Sequence, residues 1–567
     1  MINHQSEKVL SKWLLVGAAL ISIIVTSSSV TDPVNAPKFF VLGGVAVGIF
    51  LQLGISDLKY LWEKQTSVMV ALIIFLLASI NSLIQSAAPI SQSLYGVYGR
   101  NNGFLLYLFL TLLFLGTLAL RKVESVGWIL RSFLLVGFVN LAYCLWVISF
   151  GDFIGWNNPY GNILGTFGNP NFIGAFLGML SSVLITLVIK EIGRTKLMVT
   201  YSFLLVVCLF EIYMSHAVQG IVLFCVSVAL NIFFILRAKA VSKILQVTFA
   251  AITGFVGTLS VLGTLQIGPL TDYLYKYSVT LRGQYWNAGV KMGMTHLWSG
   301  VGFDSYGDWY RTVRRPSALI HPGVDTVSNA AHNVFIDLFA FGGLPLVVAY
   351  AFTILLVGVN SIKYIRKHKQ FDAVFIALFG AWLCYQIQSV VSINQIGLAI
   401  WGWILGGAIL AYVRNGAELT KQEQLVSSMK RTKRPSSNQS VFSAGIRAFL
   451  GLVFGLLLSV PPLSADISWR HAELSQNLTE VEKTLKPSYM NPVSSFKYLN
   501  IIGALSDSGF SDLAHDYTVA AVRFNPHSYE SWRLFTLIKG TSQEEMQIAL
   551  RKMKELDPLN PGVKVAK

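Results

Sequence analysis

Charged side chains and cysteines are both scarce in this sequence. Only 13% of the residues are Asp, Glu, Lys or Arg, whereas 53% are hydrophobic. Charged residues make up about 25% of a typical soluble globular domain, so the composition excludes that class and indicates that lipid surrounds much of the chain. The four cysteines fall inside apolar stretches, which excludes a disulfide framework and a CxxC metal site.

Patterns typical of nucleotide or metal chemistry are missing as well. The sequence has no cluster of metal ligands, no glycine-rich loop of the Walker type and no Asp-x-Asp pair. We therefore disfavour transfer from a nucleotide sugar with a bound cation, and we predict no metal and no cofactor. The net charge of +16 is spread between apolar runs rather than gathered on one soluble domain, so we predict no nucleic-acid partner.

Apolar runs of about 17 to 25 residues recur along the chain, and each is long enough to cross a membrane as a helix. The first run is followed by no small-residue cleavage site, so we interpret it as a span rather than a signal peptide. The pattern predicts an all-α polytopic membrane protein with about thirteen transmembrane helices. They lie near residues 11–28, 38–55, 67–84, 103–120, 127–149, 171–189, 197–214, 217–236, 245–263, 333–359, 371–392, 396–413 and 445–463.

Lys and Arg residues gather in alternate short loops between these runs. By the positive-inside rule those loops are cytoplasmic, so the N-terminus is predicted inside and the C-terminus outside. Lys38 and Arg100 are exceptions, because both fall in loops predicted to be external. The same topology puts a large loop at 264–332 and the C-terminal tail outside the cell.

The chain is thus predicted to have four parts. Residues 1–413 form a transmembrane domain that includes the external loop 264–332. Residues 414–444 form a basic, flexible cytoplasmic linker, residues 445–463 the last span, and residues 464–567 an external domain. The basic residues of the linker either attract anionic lipid headgroups or act only as a topology signal, and we favour the second interpretation.

The predicted external domain repeats a short motif. Asn491-Pro492, Asn525-Pro526 and Asp557-Pro558 lie 34 and 32 residues apart, and an aromatic residue follows each of the first two prolines by six positions. A period near 34 is typical of helical hairpins of the tetratricopeptide (TPR) type. We predict a TPR-like domain, with an irregular helical cap as the alternative. Its partner could be a protein acceptor, another enzyme or the growing glycan.

The external loop 264–332 is the predicted site of chemistry. It is rich in Trp and Tyr, and its basic residues outnumber its acidic ones. Those basic residues are Lys276, Arg282, Lys291, Arg311, Arg314 and Arg315. Arginine binds phosphate oxygens in a bidentate manner, so the loop suits a phosphate-bearing lipid headgroup with sugars attached. The alternative is a generic interfacial loop that aromatic residues anchor.

His332 lies at the end of this loop, beside Asn333 and the start of the next span. Its ordinary pKa of about 6.5 suits it to take a proton, although a single histidine there is more often a cap or a surface residue. Asp337 lies four residues after Asn333, so a helix puts these two on one face and His332 elsewhere. We therefore predict that Asp337 does not orient His332.

Two polar residues outside the loop are conspicuous by position. Arg100 has no acidic residue near it in the sequence, which makes it a candidate ligand for an anion. Glu211 lies near the predicted outer end of a span, and we expect its side chain to reach out to the interface.

Four short motifs resemble the O-antigen ligase family, which includes O-antigen ligases, O-antigen polymerases and bacterial protein O-oligosaccharyltransferases. The resemblance covers roughly residues 10–413. The motifs are Gly165-Thr166-Phe167-Gly168-Asn169-Pro170-Asn171 before a span, Arg282 with Trp286, Gly300-Val301-Gly302-Phe303 within the loop, and His332-Asn333 followed by Gly342-Gly343.

The resemblance implies a metal-independent, inverting glycosyltransferase of the GT-C type in a bacterial plasma membrane. It would take its glycan from undecaprenyl diphosphate and pass it to a glycan, lipid or protein acceptor. Arg282 would bind the diphosphate, and His332 would act as base or orient the acceptor. Gln219 replaces a second arginine of the family, and Arg100 or Arg311 would substitute for it. The other candidates for binding diphosphate or glycan are Arg315, Asn333 and Trp286.

Two other functions stay open. A transporter or flippase of a lipid-linked glycan is expected to have repeated halves and broken helices. The sequence shows no duplication, although Gly342, Gly343 and Pro345 could break one span. A non-catalytic membrane scaffold would leave the basic loop unexplained. The motifs do not separate a ligase from a polymerase, because both use the same donor and differ in the acceptor.

Overall fold

The structure, a computed structural model, describes residues 4–264, 267–272, 277–426 and 441–563. These residues form an all-helical fold, as predicted. The helices up to the last apolar one are α1 (His4–Ile23), α2 (Asn35–Phe50), α3 (Ile55–Lys64), α4 (Thr66–Gln85), α5 (Ile90–Tyr95), α6 (Phe104–Leu118), α7 (Val123–Phe150), α8 (Pro170–Lys190), α9 (Thr195–Met214), α10 (Val218–Ala238), α11 (Lys243–Thr264), α12 (Tyr277–Thr295), α13 (Tyr306–Val313), α14 (Val334–Lys367), α15 (Ala373–Ser389), α16 (Ile396–Val426) and α17 (Val441–Ser475).

Within the described ranges, nine helices are long and apolar enough to cross a membrane, and α2 with α3, bent by 86°, makes a possible tenth. The nine are α4, α7, α8, α9, α10, α11, α14, α16 and α17. Helices α6 and α15 are apolar but shorter. The polytopic membrane class is therefore confirmed. Each of the thirteen predicted runs overlaps a helix, but the number of spans stays a prediction.

Helix α16 is the centre of the bundle, and almost all of its apolar part is buried. Close approach depends on small residues, because lipid gives membrane helices no hydrophobic reason to associate. Gly407 of α16 lies against the backbone of Phe114 in α6, and a Cβ on Gly455 of α17 would overlap the backbone of Gly43 in α2. Helix α11, in contrast, has almost all of its apolar surface exposed.

Lys38, the first exception to the charge rule, has a structural role. Its side chain is fully buried in α2. Its Nζ donates hydrogen bonds to the carbonyl oxygens of Ser22 at 2.6 Å and Ile24 at 2.8 Å, with a longer one to Ile21. These carbonyls lie at the C-terminus of α1, where backbone acceptors lack helical partners and a positive charge is favoured. Lys38 therefore caps α1.

The C-terminal part is helical from α17 onward. Its further helices are α18 (Leu478–Leu485), α19 (Ser495–Asp507), α20 (Ser511–Phe524), α21 (Tyr529–Phe535) and α22 (Gln543–Leu556). Helix α19 packs on α20 and α21 packs on α22, which gives two helical pairs. The Asn/Asp-Pro motifs lie before the first pair, between the pairs and after the second. Assignment of these pairs to the TPR class stays a prediction.

The structure describes only part of the predicted linker 414–444. Helix α16 continues to Val426, so the first part of the linker is helical. Residues 427–440 lie outside the described residues. Helix α17 then runs to Ser475, past the predicted end of the last span at 463, and so links the bundle to the C-terminal helices without a break.

Candidate functional site

Helix α14 is broken at Gly343, where φ is 67° and ψ is −162°. The break frees carbonyl groups that would otherwise accept hydrogen bonds within the helix. The N–H of Val301 donates to the carbonyl of Ala340 at 2.8 Å, and that of Gly302 donates to Phe341 at 3.1 Å. Irregular backbone in a membrane helix must be satisfied by other protein groups. The two glycine motifs, some forty residues apart in sequence, therefore form one feature.

Glycine is required on the loop side of this contact. Gly300 has φ 65°, and a Cβ there would overlap the carbonyl group of Phe341. On the far side of the break, the N–H of Leu344 donates to the carbonyl of Leu297 at 2.7 Å. Residues 297–303 are thus held against α14. The residue that follows them is Asp304.

Asp304 is buried and pairs with Arg100, the second exception to the charge rule. One carboxylate oxygen accepts a hydrogen bond from the N–H of Val97 at 2.7 Å, and the other lies 3.4 Å from Nη2 of Arg100. Arg100 also donates to the carbonyl of Asn329. Its side chain is only 15% exposed. The acidic partner that the sequence does not show near Arg100 is supplied by the distant loop.

Arg100 and Trp286 nevertheless retain unused donors. Nε of Arg100 and Nε1 of Trp286 are buried, and within the described part of the chain neither has a hydrogen-bond partner. A buried donor without a partner costs roughly 1 to 3 kcal/mol, so such groups call for an explanation. An acceptor-rich ligand would satisfy both.

His332 is held from both sides by its backbone neighbours. Its φ is 56°, in the left-handed region. Asn333 caps α14, since its side-chain oxygen accepts from the N–H groups of Phe335 and Ile336. Asp337, one turn into the helix, accepts from the N–H of Ala331 at 2.7 Å. These bonds support an uncommon backbone conformation, which is a feature of functional sites.

Two arginines lie close enough to His332 to act on its charge. Burial first, and then the positive charges of Arg282 and Arg100, lower the pKa of His332 to about 4. Burial also lowers the pKa of Arg282, but a guanidinium keeps its proton in proteins. The two positive charges and the burial of the ring therefore favour the neutral form of the imidazole.

Three tyrosines form the wall behind this cluster. Tyr285 lies on α12, one turn after Arg282, and its ring centroid is 5.8 Å from that of His332. The hydroxyl of Tyr306 donates to the carbonyl of Tyr285, and Tyr310 meets the ring of Tyr285 edge-on at 5.9 Å. Sequence reasoning missed Tyr285, although its helical spacing from Arg282 is a usable signal. It also missed Asp304, for which the sequence has no signal.

A cavity of about 320 Å³ opens beside Arg100, within the size range of small-molecule sites. Its wall includes Gly168 and Asn169 of the first glycine motif, which the Asn140 side chain holds by accepting from the N–H and hydroxyl of Thr166. Most of the polar side chains that line the cavity are uncharged. The amides and the indole that line it belong to Asn35, Asn157, Asn169, Asn394, Gln395 and Trp156.

The three remaining candidate ligand-binding residues lie on or beside other helices, α13 and α10. Arg311 is buried, and its guanidinium pairs with Glu530 at 2.8 Å and Asp557 at 3.3 Å in the C-terminal helices. Arg315 is exposed at the end of α13. Gln219 lies at the start of α10, and its side-chain oxygen is buried without a partner in the described ranges.

The position of the Glu211 side chain differs from the prediction. It does not reach the interface but is fully buried in α9, and neither carboxylate oxygen has a hydrogen-bond partner among the residues described. Packing of α9 against α8 and α7 covers the side chain. The sequence shows only that a glutamate lies near a helix end, and not which face of the helix turns inward.

Comparison with known families gives one match. Residues 201–351 match the family model described as O-Antigen ligase. This segment runs from α9 into α14 and includes Arg282, Trp286, the motif at 300–303 and His332. No curated protein matches the chain. The match confirms the resemblance over residues 201–351, which hold three of the four motifs, and this segment is similar to the O-antigen ligase family.

Proposed function

We propose that this protein moves a glycan from undecaprenyl diphosphate to an acceptor hydroxyl at the outer face of a bacterial plasma membrane. Its O-antigen ligase domain supports membrane glycan transfer of the ligase or polymerase type. The observation that carries the finer proposal is the grouping of Arg100 and Arg282 around His332, beside an amide-lined cavity. The GT-C assignment, the inverting course and independence from metal belong to the same proposal.

Arg282 and Arg100 bind the diphosphate in this proposal. Guanidinium groups form paired hydrogen bonds with phosphate oxygens. Arg100 is the better substitute for the arginine that Gln219 replaces, because its Nε is unused whereas Arg311 is engaged by Glu530 and Asp557. Nε1 of Trp286, one turn after Arg282, supplies a further donor.

The reaction needs a leaving-group clamp and a proton acceptor. The acceptor hydroxyl attacks the anomeric carbon from the face opposite the diphosphate, and its proton passes to the neutral imidazole of His332. The new glycosidic bond forms as the bond from the anomeric carbon to the diphosphate oxygen breaks, so the configuration inverts. Arg282 and Arg100 stabilise the negative charge that develops on the departing diphosphate, which is the main electrostatic contribution.

Binding of the donor also makes His332 a better base. The charges of Arg282 and Arg100 oppose protonation of the imidazole in the empty site. Burial lowers this pKa as well and stays in place, but a bound diphosphate offsets the two positive charges, so the pKa of His332 rises when the donor binds. A base with a pKa nearer the working pH is more effective. The imidazole is therefore a stronger base when the donor is in place.

The cavity beside Arg100 is the proposed saccharide subsite. Amide side chains both donate and accept, which matches the hydroxyl groups of a sugar. Trp156 adds an aromatic face. Because Arg100 borders both the cavity and the His332 cluster, a sugar in the cavity has its linked phosphate or its reacting hydroxyl next to the cations.

A vesicle assay tests this proposal. Purified protein is reconstituted with labelled undecaprenyl-diphosphate glycan and an acceptor; a transferase consumes the donor and releases undecaprenyl diphosphate, whereas a flippase only moves the intact lipid across. Arg282→Ala and His332→Ala should each abolish transfer. Lys291→Ala, an exposed residue on the same helix α12, is the matched control and should keep full activity. Full activity in both site variants overturns the proposal.

A further inference from the structure

Helix α13 lies between the C-terminal helices and the candidate site. Its Tyr306 and Tyr310 face inward and contact Tyr285, the neighbour of His332. Its other face meets the C-terminal part. There the ring of Trp309 stacks on His527 at 4.9 Å, and the hydroxyl of Thr312 donates to the carbonyl of Leu556 at 2.9 Å.

The contacts centre on two of the Asn/Asp-Pro turns. Nδ2 of Asn525 donates to the Asp308 carboxylate at 3.4 Å. One oxygen of Asp557 accepts from Arg314 at 2.6 Å and from Arg311 at 3.3 Å. Both turn residues are fully buried. The repeated motif thus supplies polar residues, at matching places in the two helical pairs, that hold the same short helix.

Arg311, Arg314 and Asp557 form a buried ion cluster. Arg314 and Asp557 are both fully buried, and Arg311 is nearly so. Removing one member of a buried ion pair is strongly destabilising, because the other is left as an uncompensated charge. Arg311 also lies over the ring of Tyr529, 4.4 Å from its centroid. The C-terminal turns therefore supply the buried counter-charges for the two arginines at the end of α13.

Two routes lead from α13 to the catalytic cluster. Asp304, the partner of Arg100, lies two residues before the helix begins. Asp308 in the first turn accepts from Gln92 of α5 at 2.9 Å, which ties α13 to the segment that carries Arg100. The second route is the aromatic contact from Tyr310 through Tyr285 to His332. A shift of α13 moves both a cation and the base.

We propose that the C-terminal helices are an intramolecular clamp on α13, and that Asp557 is a positioning residue that aligns Arg100 with His332. The inference rests on the proposed glycan transfer for its effect on rate. The surface formed by the two turns is occupied by this chain's own loop, so it does not serve to recruit a second protein.

The test compares Asp557→Asn with Glu545→Gln in the full-length protein in vesicles. Glu545 lies in α22 and pairs with His515 within the C-terminal part, so its variant controls for general damage there. For Asp557→Asn we expect kcat to fall by about 10²-fold with a smaller change in the KM of the donor, as for a misplaced catalytic group. Hydrogen exchange of residues 306–313 should rise in this variant and not in the control.

A second variant covers the case in which Asp557→Asn does not fold. Glu530→Gln removes the half-exposed partner of Arg311 and should give the same pattern to a smaller degree. The clamp is overturned if the variants that fold match Glu545→Gln in kcat and in exchange. Loss of the clamp and loss of the proposed function are distinguishable, because exchange does not depend on activity and Arg282→Ala tests the chemistry alone.

Discussion

Asp337 accepts a hydrogen bond from the backbone N–H of Ala331 at 2.7 Å, and so its carboxylate supports the loop rather than the imidazole of His332. Together with the cap at Asn333, it fixes the backbone on both sides of His332. The sequence spacing predicts that Asp337 does not orient the imidazole, and the structure gives the carboxylate a different task.

Replacement of Asp337 should show whether activity depends on its hydrogen bond to Ala331 or on its negative charge. Asp337→Asn keeps an oxygen that accepts from Ala331, so we expect activity within a few-fold of wild type. Asp337→Leu leaves a buried N–H without a partner, at a cost of about 1 to 3 kcal/mol, and should lower kcat through misplacement of His332. Steady-state kinetics of both variants check this. An inactive Asp337→Asn would show that the negative charge itself is needed.

The pH dependence should differ between the free and the donor-bound enzyme. His332 is active when neutral, and its pKa in the empty site is about 4, so kcat/KM should fall only as the pH drops toward 4. The bound diphosphate raises this pKa, so the acid limb of kcat should lie at higher pH than that of kcat/KM. Profiles of kcat and kcat/KM from about pH 3.5 to about pH 8 show which acid limb lies at the higher pH. Coincident limbs contradict activation by the donor.

Arg100 should matter through its geometry as well as its charge. Arg100→Gln removes the cation and should raise the donor KM and lower kcat, by about 10²-fold or more in kcat/KM. Arg100→Lys keeps the charge but loses the planar fork, so we expect it to recover only part of this loss. Arg131→Lys, on α7, is the matched control. Equal activity of wild type and Arg100→Gln would remove Arg100 from the site.

The cavity predicts a separate effect on saccharide binding. Trp156→Ala should raise the KM for the saccharide that the cavity holds by about tenfold, equivalent to about 1.4 kcal/mol, whereas Trp156→Phe should keep most of the affinity. Donors and acceptors of different sugar length show which substrate is affected. If neither KM responds to Trp156→Ala, the cavity does not bind saccharide.

Lys38 should act on stability without contacting substrate. Lys38→Met removes three hydrogen bonds to the end of α1 and should lower the free energy of unfolding by about 2 to 3 kcal/mol. Lys59→Met, at an exposed position on α3, should change it little. Thermal unfolding in detergent, followed by tryptophan fluorescence, measures the difference. An unchanged midpoint for Lys38→Met contradicts the capping role.

The sequence predicts the helices well, because a run of apolar residues is a local signal that lipid makes decisive. The sequence also singles out Arg282 and His332 as candidates, because motifs near the start and at the end of one loop carry them, and their roles stay predictions. The pairing of Arg100 with Asp304 cannot be predicted from the sequence, because the two residues come from separate loops. The sequence also does not show whether Arg100 or Arg311 is available to a ligand. An arginine in a loop has the same sequence pattern whether its partner is a ligand or a buried aspartate.

The paired breaks at Gly300 and Gly343 have a consequence for biosynthesis. Residues 297–302 precede α14 in the chain, so they leave the ribosome before the helix that needs them. The donors to the carbonyls of Ala340 and Phe341 are therefore synthesised before these carbonyls are. Exchange of this loop with that of a related protein should succeed only when the following half-helix is transplanted with it.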